Sequence, residues 1–414
     1  MEKINVIGAG LAGCEAAWQA ARRGMAVRLI EMKPKKKTPA HTSDLFGELV
    51  CSNSLRNAEV ASAAGLLKEE LRRMGSLMME AADASRVSAG GALAVDRLRF
   101  ASYITEKIRS CPLIEVVEEE AVEIPQGEIT VIATGPLTSD AMAKEIIALT
   151  GQGGLSFFDA AAPIVDFASI DMSRAFFASR YGKGDADYIN CPMNEAEYKA
   201  FYDALIHAEE AKLHDFEADA PLTVFEGCMP VEVMAKRGED TLRFGPMKPV
   251  GIRHPETGES YYAVVQLRRE DEVGTMFNLV GFQTHLTFPE QRRVFSMIPG
   301  LEKAEFLRYG VMHRNTFLNS PELLDADYSL RSNPRIFFAG QMTGVEGYIE
   351  SAASGYVAGL AATCRARGEE TPIFPKETMV GAMADYISHG GTGDFQPMNA
   401  NFGIIAPLPK KVKG

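Results

Sequence analysis

Gly8, Gly10 and Gly13, in the run GAGLAG, have the spacing of a loop that cradles a pyrophosphate, and Glu31 follows 18 residues after Gly13. The first glycine permits a tight turn, the second lets backbone approach a phosphate, and the third lets a helix pack closely on a strand. Ala9, Leu11 and Ala12 complete the loop, whose unpaired N–H groups and helix dipole favour a phosphate. A carboxylate at the place of Glu31 can accept from a ribose hydroxyl. It suits an unphosphorylated ribose, hence FAD or NAD before NADP. A second kind of chemistry rests on thiols. Cys51 lies in LVCSNSLR ahead of a helical segment at 61–74, and Cys228 lies in FEGCMPVEV at a strand-to-helix turn. A thiol in the positive field at a helix start is activated. Each cysteine alone reads first as a buried, inert thiol; the pair could share a redox or nucleophilic role across a cleft.

These groups need elements to position them. Residues 4–7 read as a strand, 11–23 as a helix and 26–30 as a second strand, with Glu31 at its end. Residues 129–135, ITVIATG, read as a strand whose last residues, Ala133, Thr134 and Gly135, let backbone come close to a cofactor. Residues 336–339 form another strand, 340–347 a glycine-rich turn with Gly340, Gln341 and Gly347, and 349–360 a helix. The N-terminus of that helix could face the pyrimidine end of an isoalloxazine and stabilise the reduced anion. Such a strand-turn-helix, far downstream of the first glycine loop, favours FAD over NAD. The fold class expected is α/β: a Rossmann-like FAD-binding domain of glutathione-reductase type, split between residues 1–150 and 330–414, around an inserted α+β domain at 151–329. Strand-like runs in the insert are 160–166, 223–225, 261–266 and 275–280. Residues 34–42 read as a basic loop, 88–97 as a glycine-rich turn into a helix at 99–109, and 114–123 as a strand. There is no second GxGxxG, so a nicotinamide donor would have no domain of its own.

The chain has 414 residues, 46% of them hydrophobic and 24% charged, which suits a globular protein of two domains. No apolar run reaches membrane-spanning length and no signal peptide precedes the first strand, so a cytosolic protein is expected. Six cysteines, far apart and without a CxxC pair, argue against a zinc or disulfide framework and read as free thiols. The net charge of −12 argues against a general coating of nucleic acid but allows a local basic face.

Longer motifs then extend the pattern: AGGALAVDR (89–97), IATGPLTS (132–139), DAAAPIV (159–165), EGCMPVEVMAKRG (226–238), FGPMKPVG (244–251), AVVQLR (263–268), VGFQTHL (280–286), RYGVMHRNTFLNSP (308–321), FFAGQMTGVEGYIESAASG (337–355) and QPMNANFG (396–403). With GAGLAG and LVCSNSLR, they make a chain that closely resembles the folate- and FAD-dependent tRNA (uracil-5-)-methyltransferase family, TrmFO, nearly end to end. The resemblance implies 5-methyluridine formation in the T-loop of tRNA, at its position 54. Methylenetetrahydrofolate would supply the carbon, reduced flavin the hydride, and NADPH or NADH the electrons. It makes Cys228 the nucleophile that adds to carbon 6 of uracil and Cys51 its assistant. It places His313 and Tyr348 beside the pterin and flavin rings, against the plain alternative of a core histidine and a core tyrosine. Phosphate contacts would then need cations, and Lys35-Lys36-Lys37, Lys236-Arg237, Arg268-Arg269, Arg292-Arg293 and Lys410-Lys411-Lys413 are the candidates. The rival readings are the larger folate- and FAD-dependent protein that modifies the wobble uridine, the same chemistry on ribosomal RNA, and a folate- or RNA-binding flavoprotein that does not methylate. Retention of both cysteines argues against the last.

Overall fold

The computed structural model describes residues 2–38, 40–151, 155–182, 186–211, 229–254, 256–390 and 395–407, with backbone only at 155–160 and 312–316. Short apolar runs such as INVI and ITVI, buried on both faces, are what a central parallel strand requires. They form a six-stranded sheet in the order Ser329–Leu330, Asn333–Phe338, Ile129–Ile132, Ile4–Ile7, Val27–Glu31, Ile114–Glu118. Every pairing is parallel except that of the edge strand Ser329–Leu330. Helices Leu11–Ala21 and Tyr348–Arg367 pack together over this sheet at backbone contact. A Cβ on Gly355 would lie 2.2 Å from the Ala12 carbonyl oxygen, and one on Gly359 would lie 2.5 Å from that of Ala16. Small residues four apart on one helix thus bring two helix N-termini to the same end of the sheet.

A second six-stranded sheet, Phe176–Ala178, Tyr188–Met193, Ala263–Arg269, Met276–Leu279, Ile164–Asp166 and Phe306–Arg308, is antiparallel throughout. It has its own core, built around Phe201, Phe277, Phe282 and Phe295, whereas the first core collects residues from both ends of the chain. Strands Leu155–Ala160 and Met312–Phe317 pair antiparallel as the chain passes between the two bodies.

Several expectations shift. The first helix ends at Ala21 and the second strand begins at Val27; the strand expected at 114–123 stops at Glu118. The run expected at 160–166 splits into two strands around Pro163, and 261–266 and 275–280 appear as Ala263–Arg269 and Met276–Leu279. The strand expected at 223–225 lies outside the described residues. The largest correction concerns 88–97. Ala92–Val95 is a strand between Ser54–Asn57 and Arg86–Val87, and the next helix starts at Arg97 with the Asp96 side chain accepting from Arg99 N–H at 3.0 Å.

Candidate functional site

A cleft opens at the carboxyl ends of the parallel strands, where both helix N-termini converge. Its walls include Gly8 to Ala12, Glu31, Ala133 to Gly135, Gly340, Gln341 and Tyr348. Gly8 has φ +100°, and a Cβ there would meet the Ala133 carbonyl oxygen at 2.5 Å. A Cβ on Gly13 would lie 1.8 Å from the Gly8 oxygen, so helix and turn touch. At Gly10, the helix N-cap, a Cβ would meet nothing within 4 Å, which leaves room for a ligand against the backbone. Glu31 is buried at its strand end. Its two carboxylate oxygens accept from the N–H groups of Ala9 (2.7 Å) and Lys33 (2.9 Å). Each oxygen keeps acceptor capacity for a further hydroxyl. Gly347, at φ +124°, is the N-cap of the helix that begins at Tyr348 and continues to Arg367, seven residues beyond the expected end. Gln341 donates to Glu346 at 2.7 Å, and the Thr134 hydroxyl lies 2.6 Å from that of Thr138.

Cys51 does not precede a helix. The strand Ser54–Asn57 intervenes, and the next helix starts only at Ala63 behind its Ser62 cap. The helix-field expectation for this thiol is therefore wrong, and three arginines instead hold the backbone and side chains around it. Arg97 donates to the carbonyls of Leu49 (2.5 Å) and Cys51 (3.4 Å). Arg308 donates to the Val50 carbonyl at 2.9 Å, and Arg268 to the Ser52 hydroxyl at 2.7 Å and the Asn53 side chain at 3.1 Å. Arg97 is paired in turn with Glu270, whose carboxylate also accepts from Asn278. From the cleft side, the Tyr348 hydroxyl accepts from the N–H groups of Cys51 (2.7 Å) and Ser52 (3.2 Å). Burial raises the Tyr348 pKa, which keeps it a neutral phenol.

Cys228 lies outside the described residues, but the chain on either side of 212–228 is held by one imidazole. His285 Nε2 is 2.9 Å from Glu210 on the upstream flank, and its Nδ1 is 2.6 Å from Glu232 on the downstream flank. The second contact is an ion pair without hydrogen-bond alignment. Glu232 is fully buried and also accepts from the His285 N–H and the Thr284 hydroxyl, both at 2.8 Å. Backbone bonds from Ala211 to His285 (2.8 Å) and from Val231 to Gln283 (2.7 Å) complete the fastening.

His313 is opposite Asp159 in the strand pair; its side chain lies outside the described residues. Of the basic groups, Arg268 is buried against Ser52 and Asn53, so it is a structural cation and is corrected as an RNA contact. Lys36, Lys37, Lys236 and Arg293 are paired with Glu120, Asp44, Glu210 and Glu290, while Arg292 is exposed. Lys410, Lys411 and Lys413 lie outside the described residues. Cys14, Cys111, Cys191 and Cys364 are free thiols. Burial pushes the Cys14 and Cys191 thiols up, which makes them inert. Sequence reasoning missed Arg97, Arg308, His285 and Glu232 as organising residues. The only available signal was their presence inside the long motifs.

A family model described as glucose inhibited division protein A matches residues 3–370. Methylenetetrahydrofolate–tRNA-(uracil-5-)-methyltransferase TrmFO of Acetivibrio thermocellus is 59% identical over 413 residues, covering 100% of this chain and 94% of its own length. The TrmFO of Heliobacterium modesticaldum is 60% identical over 411 residues, covering 99% of this chain and 93% of its own. Among solved structures, Aquifex aeolicus GidA superposes with a TM-score of 0.72 at 18% identity, covering 96% of this chain and 68% of that one, which speaks for the fold alone. No helix among the described residues is long and apolar enough to cross a membrane. On near-identical length and more than half of all positions in common with its relatives, the chain belongs to the TrmFO family.

Proposed function

We propose that this chain is a methylenetetrahydrofolate- and FAD-dependent tRNA (uracil-5-)-methyltransferase acting on the T-loop uridine, with NADPH or NADH as reductant. Family membership supports the reaction, and one geometric observation carries the site. Tyr348 lines the cleft and its hydroxyl holds the Cys51 and Ser52 N–H groups, so cofactor cleft and thiol loop share a wall. Residues 1–150 and 330–414 are read as the FAD-binding domain and 151–329 as the substrate-presenting insert; the two separate cores support two bodies, but Phe317, Leu318, Leu324 and Tyr328 belong to the first core, which moves the return to that body ahead of residue 330.

The open space at Gly10, the close turn at Gly8 and Gly13, and the Glu31 carboxylate fit FAD. In this reading the N–H groups of the 8–13 loop take the pyrophosphate and Glu31 a ribose hydroxyl. The backbones of Ala133 to Gly135 and of Gly340 and Gln341 border the cofactor, and the Gly347–Tyr348 helix start faces the pyrimidine end. When bound, FAD supplies the hydride that turns the transferred methylene into a methyl. His313 flanks the pterin. The uridine leaves its stack to reach the cleft, at a cost of a few kcal/mol. The Cys228 thiolate then forms a bond to carbon 6, which makes carbon 5 nucleophilic toward the one-carbon unit. Cys51 removes the proton from carbon 5 as the sulfur–carbon bond breaks and the thiolate leaves.

RNA containing 5-fluorouridine tests this, because fluorine blocks the proton removal. Wild type and Cys51→Ala should be trapped as covalent adducts, whereas Cys228→Ala should form neither adduct nor 5-methyluridine and should still carry FAD. Normal methylation by Cys228→Ala, read by nucleoside mass spectrometry, would overturn the mechanism.

A further inference from the structure

Three aromatic rings stand in a parallel row at the edge of the second body. Phe306 and Tyr309 have centroids 5.5 Å apart and planes 10° apart, and Tyr309 and Phe288 are 4.8 Å and 15° apart. Phe306 is rooted on the second core, while the other end, Phe288, is 52% exposed. Phe288 opens the helix Phe288–Phe295, and Arg292, four residues on, shares its face. Arg292 is exposed and makes no ion pair among the described residues, whereas the neighbouring Arg293 neutralises Glu290 at 2.6 Å. The row also adjoins the thiol loop, since Arg308, the residue before Tyr309, donates to the Val50 carbonyl at 2.9 Å.

We propose that the Phe288 end of this row is a platform on which an unpaired base of the RNA substrate stacks, with Arg292 on an adjoining phosphate. The inference rests on the reading that the substrate is tRNA. A nucleobase is a flat ring with a phosphate a short distance away, and it matches a flat exposed ring with a cation one helical turn on. Stacking on aromatic rings and pairing of phosphate with arginine are how single-stranded loops are held. A row three rings deep keeps the terminal ring oriented without ordering a loop at the moment of binding. The Arg308 bond to the Val50 carbonyl ties the chain beside Tyr309 to the Cys51 loop, so the row and the thiol loop belong to one connected surface. A polypeptide partner would require no phosphate contact and would leave the exposed Arg292 without a role.

The test uses the FAD-loaded full chain and an unmodified tRNA transcript. Phe288→Ala should weaken tRNA binding about tenfold, the order of one lost base stack, and raise KM with kcat and FAD content unchanged. Phe288→Trp should bind as wild type. Arg292→Gln should lower the slope of log affinity against log salt by about one. Phe288→Ala that binds tRNA as tightly as wild type overturns the platform while leaving the methyltransferase reading intact. A wild type that neither binds nor methylates tRNA overturns that reading and the platform with it.

Discussion

The two proposed catalytic cysteines are held by opposite means. The Cys51 loop is gripped by three arginines, a tyrosine hydroxyl and its own Asn53, so its fastening is cationic and does not titrate in the physiological range. The flanks of the Cys228 segment are gripped by two carboxylates that share one imidazole, so their fastening depends on a proton. The Cys51 loop is therefore held at every working pH, whereas the flanks of the Cys228 segment, at Glu210 and Glu232, are held partly by contacts that depend on pH.

The largest effect should come from breaking the cationic side. Glu270 is only 2% exposed and depends on Arg97 for its counter-charge. Removing one member of a buried pair strands the other, at a cost of about 3 kcal/mol or more. Arg97→Met should lower the unfolding free energy by about that amount. The double variant with Glu270→Gln should recover part of it, as a denaturant-based double-mutant cycle would show. Independent, additive losses would mean that the pair does not act as a unit and that the grip on the Cys51 loop is weaker than its geometry suggests.

On the other side, burial opposes the charge on His285, but the Glu232 and Glu210 carboxylates outweigh it and raise its pKa. A raised histidine pKa stabilises the fold fully below its unfolded value of about 6.5 and ceases to do so as pH rises through the folded value. His285→Gln should therefore cost about 2 kcal/mol near pH 6, the order of a hydrogen bond to a charged group. The gap to wild type should narrow as pH rises past the folded pKa. Thermal unfolding of both proteins across pH measures it. A gap that stays constant would show that the histidine acts by packing alone and would remove the contrast between the two thiol loops.

The cofactor half was legible because its signals are local: three glycines between two apolar strands specify strand, turn and helix within about 30 residues. The strand at Ala92–Val95 was not, because its partner Ser54–Asn57 is a short polar run, SLRN, far away in sequence. Missing that pairing also produced the wrong environment for Cys51, since the strand stands where a helix start was expected. The fastening of both thiol loops was equally hidden. Arg97 and Glu270 are 173 positions apart, and no periodicity marks an arginine that will fold inward instead of outward. Arg268 of the doublet Arg268-Arg269 shows the same ambiguity: its charge suggested RNA, and its burial assigns it to the interior.

The smallest effect expected is also the one that connects the two halves. Tyr348→Phe keeps the ring at the head of the helix but removes the oxygen that accepts from Cys51 and Ser52 N–H. Both donors belong to half-buried residues, so water can replace the lost acceptor and the cost should be about 1 kcal/mol. FAD content should not change, because the ring remains and the glycine loop and Glu31 lie elsewhere. Methylation should slow severalfold, because a Cys51 loop released at two N–H groups samples positions from which its thiol no longer reaches carbon 5. In the fluorouridine assay the variant should still form the adduct, and on ordinary tRNA it should release product more slowly than wild type. Loss of flavin instead would show that the hydroxyl serves the cofactor. An unchanged rate would show that the arginines alone hold the loop, and the shared wall between thiol and cleft would then carry no function.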